Sequence, residues 1–110
     1  MKAIGYVKGT EADLQKSSIK KYCEVNDLEL EKIFIDKNAS GLSDDREQYQ
    51  ELFKYISENE VDFVIVYKAE KFHRDMKKFI DAVLELDEKN ISFIATNQNT
   101  DISRIIKELY

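Results

Sequence analysis

Five consecutive residues, Phe63-Val64-Ile65-Val66-Tyr67, are all apolar or aromatic, with no polar residue at alternate positions. Such a strand has no face to offer water, so it belongs inside a parallel sheet covered on both sides. The run extends back to Val61, and three shorter ones share its β-branched and aromatic character: Ala3–Val7, Lys32–Ile35 and Ile91–Ala95. Between them the apolar spacing becomes helical. Tyr49, Leu52, Phe53 and Ile56 fall on one helix face, and so do Met76, Phe79, Ile80 and Val83. Gln15, Ile19, Tyr22 and Cys23 mark a weaker helix after the first run, and Ile102, Ile105, Ile106 and Leu109 mark a last one. Strand–helix alternation builds βαβ units with right-handed crossovers. The expected fold is therefore α/β: a three-layer αβα domain over residues 1–110, with a mainly parallel sheet of four strands or slightly more. Covering both faces takes one chain reversal, which places the first strand centrally between the second and third, with the fourth beyond the third.

Composition narrows the function classes. With 43% hydrophobic and 35% charged residues, this is neither a disordered nor a membrane-spanning chain. The N-terminus lacks the long apolar stretch of a signal peptide, so a cytoplasmic location is expected. The single cysteine, Cys23, has no partner for an intrachain disulfide, and one histidine, His73, supports no histidine-rich metal site. A formal charge of −5 means that any nucleic-acid contact must come from a local basic cluster.

Such a cluster exists where chemistry is expected, since open parallel sheets bind ligands beyond the carboxyl ends of their strands. The first strand runs into Lys8-Gly9-Thr10, and the second into Asp36-Lys37 and, further on, Ser40-Gly41 and Arg46. The third runs into Lys68-Ala69-Glu70-Lys71-Phe72-His73-Arg74. Lys8, Lys37, Arg46, Lys71 and Arg74 thus gather on one edge beside the hydroxyl of Thr10, a combination suited to phosphate or phosphodiester groups. Lys8, Arg46, Lys71 and Arg74 are expected to share one shallow concavity.

The same loops resemble those of the serine recombinases, the resolvases and invertases. Gly5-Tyr6-Val7-Lys8-Gly9-Thr10 is similar to the family's G-Y-x-R-V-S-T, which carries the nucleophilic serine. Ile33-Phe34-Ile35-Asp36 through Ser40-Gly41, followed by Asp45-Arg46, is similar to I-F-x-D-x-x-x-S-G…R. Val64 through Arg74 is similar to V-x-x-x-K-L-D-R-L-x-R, and Gln15 through Cys23 to Q-x-x-x-I-x-x-Y-C. The resemblance implies a reaction without metal, ATP or other cofactor. A serine hydroxyl attacks a DNA phosphodiester, forms a 5′-phosphoserine linkage and reverses after strand exchange in a tetramer. It further implies DNA as partner, with a homodimer or a related recombinase beside it. Arg46 and Arg74 stand at arginine positions of the family, Lys8 and Lys71 where arginines are usual, and Glu70 where aspartate is usual. Asp36, Ser40 and Gln15 match supporting residues, and Thr10 is the candidate nucleophile.

The departures carry expectations of their own. Lysine is a hydrated point charge and does not present arginine's flat fork. Aligning Gln15 with the family glutamine leaves the nucleophile loop about four residues short, a tight strand-to-helix turn. Thr10 then has a second reading, the preferred one, as the N-cap of the first helix, with Asp13 in its first turn. Arg46 reads equally as a phosphate ligand or as half of a local ion pair with Asp44 or Asp45, where Asp44 and Glu47 have capping-box spacing. Glu70 also reads as a surface ion pair, His73 as a solvated loop residue, Ser40-Gly41 as a turn and Cys23 as a small buried hydrophobe. The family's long dimerising helix is at best begun by Ile102–Leu109, and its DNA-reading domain is expected to be missing. Two functions follow: a DNA strand-transfer domain, weak or inactive as this chain stands, or a degenerate relative acting in oligomerisation, DNA association or regulation. A receiver-like or nucleotide-binding module fares worst, because no aspartate pair follows the first strand and no glycine-rich phosphate loop is present.

Overall fold

The computed structural model describes residues 1–37, 46–73, 75–98 and 100–109. In chain order these form β1 (Lys2–Lys8), α1 (Ala12–Val25), β2 (Glu29–Asp36), α2 (Glu47–Glu58) and β3 (Phe63–Val66). A 3₁₀ turn (Ala69–Lys71), α3 (Met76–Glu88), β4 (Ser92–Ala95), a second 3₁₀ turn (Thr96–Gln98), β5 (Thr100–Asp101) and α4 (Ile102–Leu109) complete them. The strand order is β2-β1-β3-β4-β5. The first three pairings are parallel, and β5 adds an antiparallel edge of two residues through Ile94–Asp101 and Ala95–Thr100. The four-strand order expected from the crossover rule is the observed one, with β1 in the interior. The fifth strand is too short to leave an apolar run in the sequence.

Successive side chains on a strand point to opposite faces, and the core divides accordingly. Ile4, Tyr6, Val64, Val66, Phe93 and Ala95 face one side, where they meet Leu52 and Ile56 of α2 and Phe79, Val83 and Leu86 of α3. Ala3, Val7, Ile65 and Ile94 face the other, under Ile19 and Cys23 of α1. Ile102 and Ile106 bring α4 onto the first side. Cys23 is buried, and burial pushes its thiol above the usual range.

Gly5 permits the close approach of α1. A Cβ there would lie 3.1 Å from Ile19 Cγ2 and 3.3 Å from Ile33 Cγ1, tighter than ordinary packing allows. Helices α1 and α3 end alike. Leu28 N–H donates to the Cys23 carbonyl and Ile91 N–H to that of Leu86, with Asp27 (φ 53°) and Asn90 (φ 61°) in the left-handed position between. These caps end the helices so that β2 and β4 start at the same edge as β1. The opposite edge collects the carboxyl ends of β1, β2 and β3.

Candidate functional site

At that edge β1 ends on Lys8, whose side chain is buried. Gly9 turns the chain with φ 79°, a conformation that glycine adopts without strain, and its N–H donates to the Asp36 carbonyl at 2.8 Å. The turn is then held from beneath by Gln15, fully buried on α1. Gln15 Nε2 donates to the Lys8 carbonyl at 3.0 Å and the Thr10 carbonyl at 2.8 Å, while its Oε1 accepts from Lys8 N–H at 3.4 Å. One amide thereby satisfies backbone groups that the short turn leaves without strand partners. Thr10 is exposed. It is not the helix cap, contrary to the preferred sequence reading. Glu11 holds the N-cap position in the left-handed conformation (φ 61°, ψ 35°) and its side chain makes no capping bond. The glutamine brace sets the turn, and the threonine hydroxyl is left at the surface.

The second strand ends on Asp36, and its carboxylate caps a helix ten residues further on. Oδ1 accepts from Gln48 N–H at 3.0 Å and Oδ2 from Tyr49 N–H at 2.9 Å, the first-turn donors of α2. These are the bonds that a capping side chain at position 46 would supply, and arginine there has no acceptor to offer. The N-cap position falls at Arg46, and Asp44, expected to form a capping box with Glu47, lies outside the described residues. Oδ2 also accepts from the Tyr6 hydroxyl at 2.8 Å. Burial, and then this bond to Asp36, pushes the Tyr6 phenol well above its ordinary range, although Arg46 pulls the other way.

Arg46 lies inside the domain, 1% exposed. Its Nη1 donates to the Phe72 carbonyl at 2.7 Å and the Tyr6 hydroxyl at 3.2 Å, and its Nη2 lies 3.5 Å from His73 Nδ1. The guanidinium stacks over Tyr49 at 4.0 Å from the ring centroid and lies 5.6 Å from that of Tyr6. The Tyr6 hydroxyl also links it to the Asp36 carboxylate. Among the described residues its Nε is buried without a hydrogen-bond partner.

His73 closes the network. The residue is 7% exposed, and its Nε2 lies 2.6 Å from the Tyr49 hydroxyl. The reading of His73 as a solvated loop residue is therefore corrected. A histidine surrounded by Lys71, Arg74 and Asp75 looks like surface, but the 3₁₀ turn at Ala69–Lys71 rotates Phe72 and His73 inward together. Lys71 is half-buried, while Glu70 and Lys37 are exposed. Ser40 and Arg74 lie outside the described residues. Beside the 3₁₀ turn a cavity of about 330 Å³ is lined by Ala69, Glu70, His73, Met76 and Phe79. None of Lys8, Arg46 and Lys71 is among those lining residues. Of the expected residues that are described, Arg46 and Lys8 lie inside and Lys37, Glu70 and Thr10 outside.

Three residues of this network were not singled out as functional by the sequence, although Tyr6 stands in the first-strand motif. Tyr6 and Tyr49 fit their strand and helix stripes as core, and only a hydroxyl with a place to go sets them apart from phenylalanine. His73 was visible as a lone histidine in a motif, without sign of burial.

Residues 5–110 match the family described as "Resolvase, N terminal domain", and the chain belongs to that family. Its fold is shared with the N-terminal catalytic domain of TP901-1 integrase, at TM-score 0.88 and 23% identity over 99% of this chain and 93% of that one. It is shared also with a resolvase family site-specific recombinase from Streptococcus pneumoniae, at TM-score 0.83 and 20% identity, covering 99% and 85%. The C-terminal catalytic domain of ISC1926 TnpA, an IS607-like serine recombinase, aligns at TM-score 0.80 and 16% identity, covering 99% and 78%. No curated protein sequence gives a significant match. Among the described residues, no helix is long and apolar enough to cross a membrane.

Proposed function

We propose that this chain is a recombinase-type domain whose carboxyl sheet edge engages DNA phosphates, and that the chain as it stands does not cut DNA at a useful rate. Membership of the resolvase family supports the first half, together with cations from three successive strand ends on one edge. Phosphate contacts of this kind position a duplex without reading its sequence. Partners of the same class follow: DNA, and a second copy of the chain or a related recombinase, in the cytoplasm.

The observation that carries the second half is the commitment of Arg46. Phosphoryl transfer needs cations free to tighten on the non-bridging oxygens as charge develops. The Arg46 guanidinium is 1% exposed and spends its Nη groups on Tyr6, Phe72 and His73, so it offers no open fork to a phosphate. Lys8 and Lys71, at two further cation positions, lack the planar fork altogether. Thr10 presents an exposed hydroxyl on a turn braced by Gln15, and misplacement of a nucleophile by about 1 Å costs on the order of 10²-fold. Thr10 would serve as nucleophile, Asp36 and Gln15 as supports, and Lys37, Lys71 and Arg74 as phosphate contacts, with Glu70 and Ser40 beside them.

The test is incubation with supercoiled DNA at low salt, quenched with detergent and assayed for covalent protein–DNA adducts. The expected result is no adduct, with salt-sensitive non-covalent binding that Arg74→Ala weakens uniformly across sequences. An adduct that forms with the natural chain and vanishes in Thr10→Ala would overturn the claim of inactivity.

A further inference from the structure

Phe72 and His73 grip the Arg46 guanidinium from two directions, one through a backbone carbonyl and the other through a ring nitrogen. The second contact fixes a proton. Arginine has only donors and does not give up its charge, so His73 Nδ1 serves it as an acceptor. The ring proton then sits on Nε2 and is donated to the Tyr49 hydroxyl at 2.6 Å. A protonated ring would turn an N–H and a second positive charge toward Arg46. Among the described residues, the charged and titratable groups that face the imidazole include Arg46 and Tyr49 at the start of α2, Glu70 in the 3₁₀ turn lining the same cavity, and Tyr6 of β1 one bond beyond Arg46. Helix α3 contributes Met76 and Phe79, which are apolar.

The segment gripped in this way is the one between Lys71 and Arg74. On the reading that this edge takes DNA phosphates, we infer that His73 is a positioning residue. Acting through Arg46 as the neutral Nε2–H tautomer, it fixes the Phe72–His73 segment against β1 and α2. The connection is physical: Arg46 Nη1 ties that segment to the Tyr6 hydroxyl, which in turn is tied to Asp36 and the first turn of α2. His73 holds the other end of the same guanidinium. Its role differs from that of a space-filling ring because it depends on which nitrogen carries the proton.

The test uses the full chain. Nitrogen-15 spectra of the histidine-labelled protein at neutral pH should show Nε2 protonated and Nδ1 bare, and an Nδ1–H tautomer or an imidazolium would overturn the inference without any variant. Three substitutions then separate shape from proton placement. His73→Asn keeps an acceptor near the Nδ1 position, His73→Gln keeps a donor near Nε2, and His73→Phe keeps volume alone. Binding to a short duplex at low salt should weaken about fivefold in His73→Phe and His73→Gln and stay within about twofold in His73→Asn. Equal loss in all three, or no loss in any, would overturn the positioning role. The Arg46 Nη protons give a readout independent of DNA: resolved by slow rotation in the natural chain and His73→Asn, averaged in the other two. If the natural chain fails to bind DNA while these signals follow that pattern, the phosphate reading falls and the grip on Arg46 stands. Averaged signals in the natural chain would remove the grip itself.

Discussion

Two turns at the same sheet edge are built in opposite ways. The β1–α1 turn spends two left-handed residues, Gly9 and Glu11, to reverse the chain quickly, and a single amide, Gln15, braces its backbone. The start of α2 and the turn after β3 are instead locked by side chains: Asp36, Tyr6, Arg46, Tyr49 and His73 form one connected network. The first leaves its hydroxyl exposed and its conformation strained. The second buries a cation and uses most of its bonding capacity internally. The difference is between an exposed Thr10 on a turn braced through its backbone and an arginine held by side chains of three elements.

The largest expected effect breaks that comparison directly. Arg46→Ala strips the Phe72 carbonyl of its donor and opens space between Tyr6 and Tyr49, where a buried, hydrogen-bonded cation has been removed. Its cost should be about 3 kcal/mol or more, against less than about 0.5 kcal/mol for Thr10→Ala at the exposed turn. Urea denaturation of both variants measures the contrast, and equal costs would show that the network is no more rigid than the turn.

An intermediate effect is expected at alkaline pH. The Tyr6 phenol ionises at higher pH in the folded chain than in the unfolded one, because burial and Asp36 oppose its anion. The unfolded chain therefore loses this proton first, near pH 10. The stability Tyr6 contributes is fully present below that pH and is lost as pH rises toward the folded value, by at most about 1.4 kcal/mol per pH unit. Tyr22 and Cys23 are shifted in the same direction, chiefly by burial, so their contributions add to the alkaline loss. Urea midpoints between pH 8 and pH 11 should fall more steeply for the natural chain than for Tyr6→Phe. Parallel curves would mean that the Tyr6 hydroxyl is neither buried nor held by Asp36 in solution.

How far the sequence revealed all this follows the range of the interactions. Strand order was legible because it depends on the period of the apolar residues and on handed crossovers, and both are local or general. The burial of Gln15, by contrast, could not be read from its place on a helix stripe. It is polar and its partners are backbone groups of a preceding turn. Asp36 matched a motif position, but its capping of α2 acts over ten residues of sequence, while Asp44 offered a nearer and more conventional capping pattern. Arg46 was read equally as a phosphate ligand or as a partner of Asp44 or Asp45, which lie outside the described residues, whereas the described hydrogen-bond partners it takes come from β1 and from the turn after β3. His73 was misjudged for the same reason, since the rotation that buries it is imposed by a 3₁₀ turn with no sequence signature of its own. Interactions that close within one element could be read, and those that join three could not.

The smallest expected effect tests the strained side of the comparison. Glu11 adopts φ 61°, ψ 35° at the N-cap of α1, a position where its side chain makes no capping bond. For an L-residue with a Cβ the left-handed region costs about 1 kcal/mol relative to glycine. Gly9, two residues earlier, already bears the other left-handed turn without that cost. Glu11→Gly would relieve the strain, but glycine also widens the unfolded ensemble, which offsets part of the gain. It would also remove an acidic residue beside the positive end of α1, a loss of a few tenths of a kcal/mol. The balance should be a net stabilisation of about 0.5 kcal/mol, read from urea midpoints, with Glu11→Ala as the control that keeps the strain. If Glu11→Gly and Glu11→Ala are equally stable, the turn relaxes in solution. The contrast between a strained hydroxyl-bearing loop and a locked arginine network would then rest on the network alone. If only Glu11→Gly gains, the strain is real and is held in place by Gln15, because the carbonyls of Lys8 and Thr10 that the amide binds are the ones that fix the path of the chain into α1.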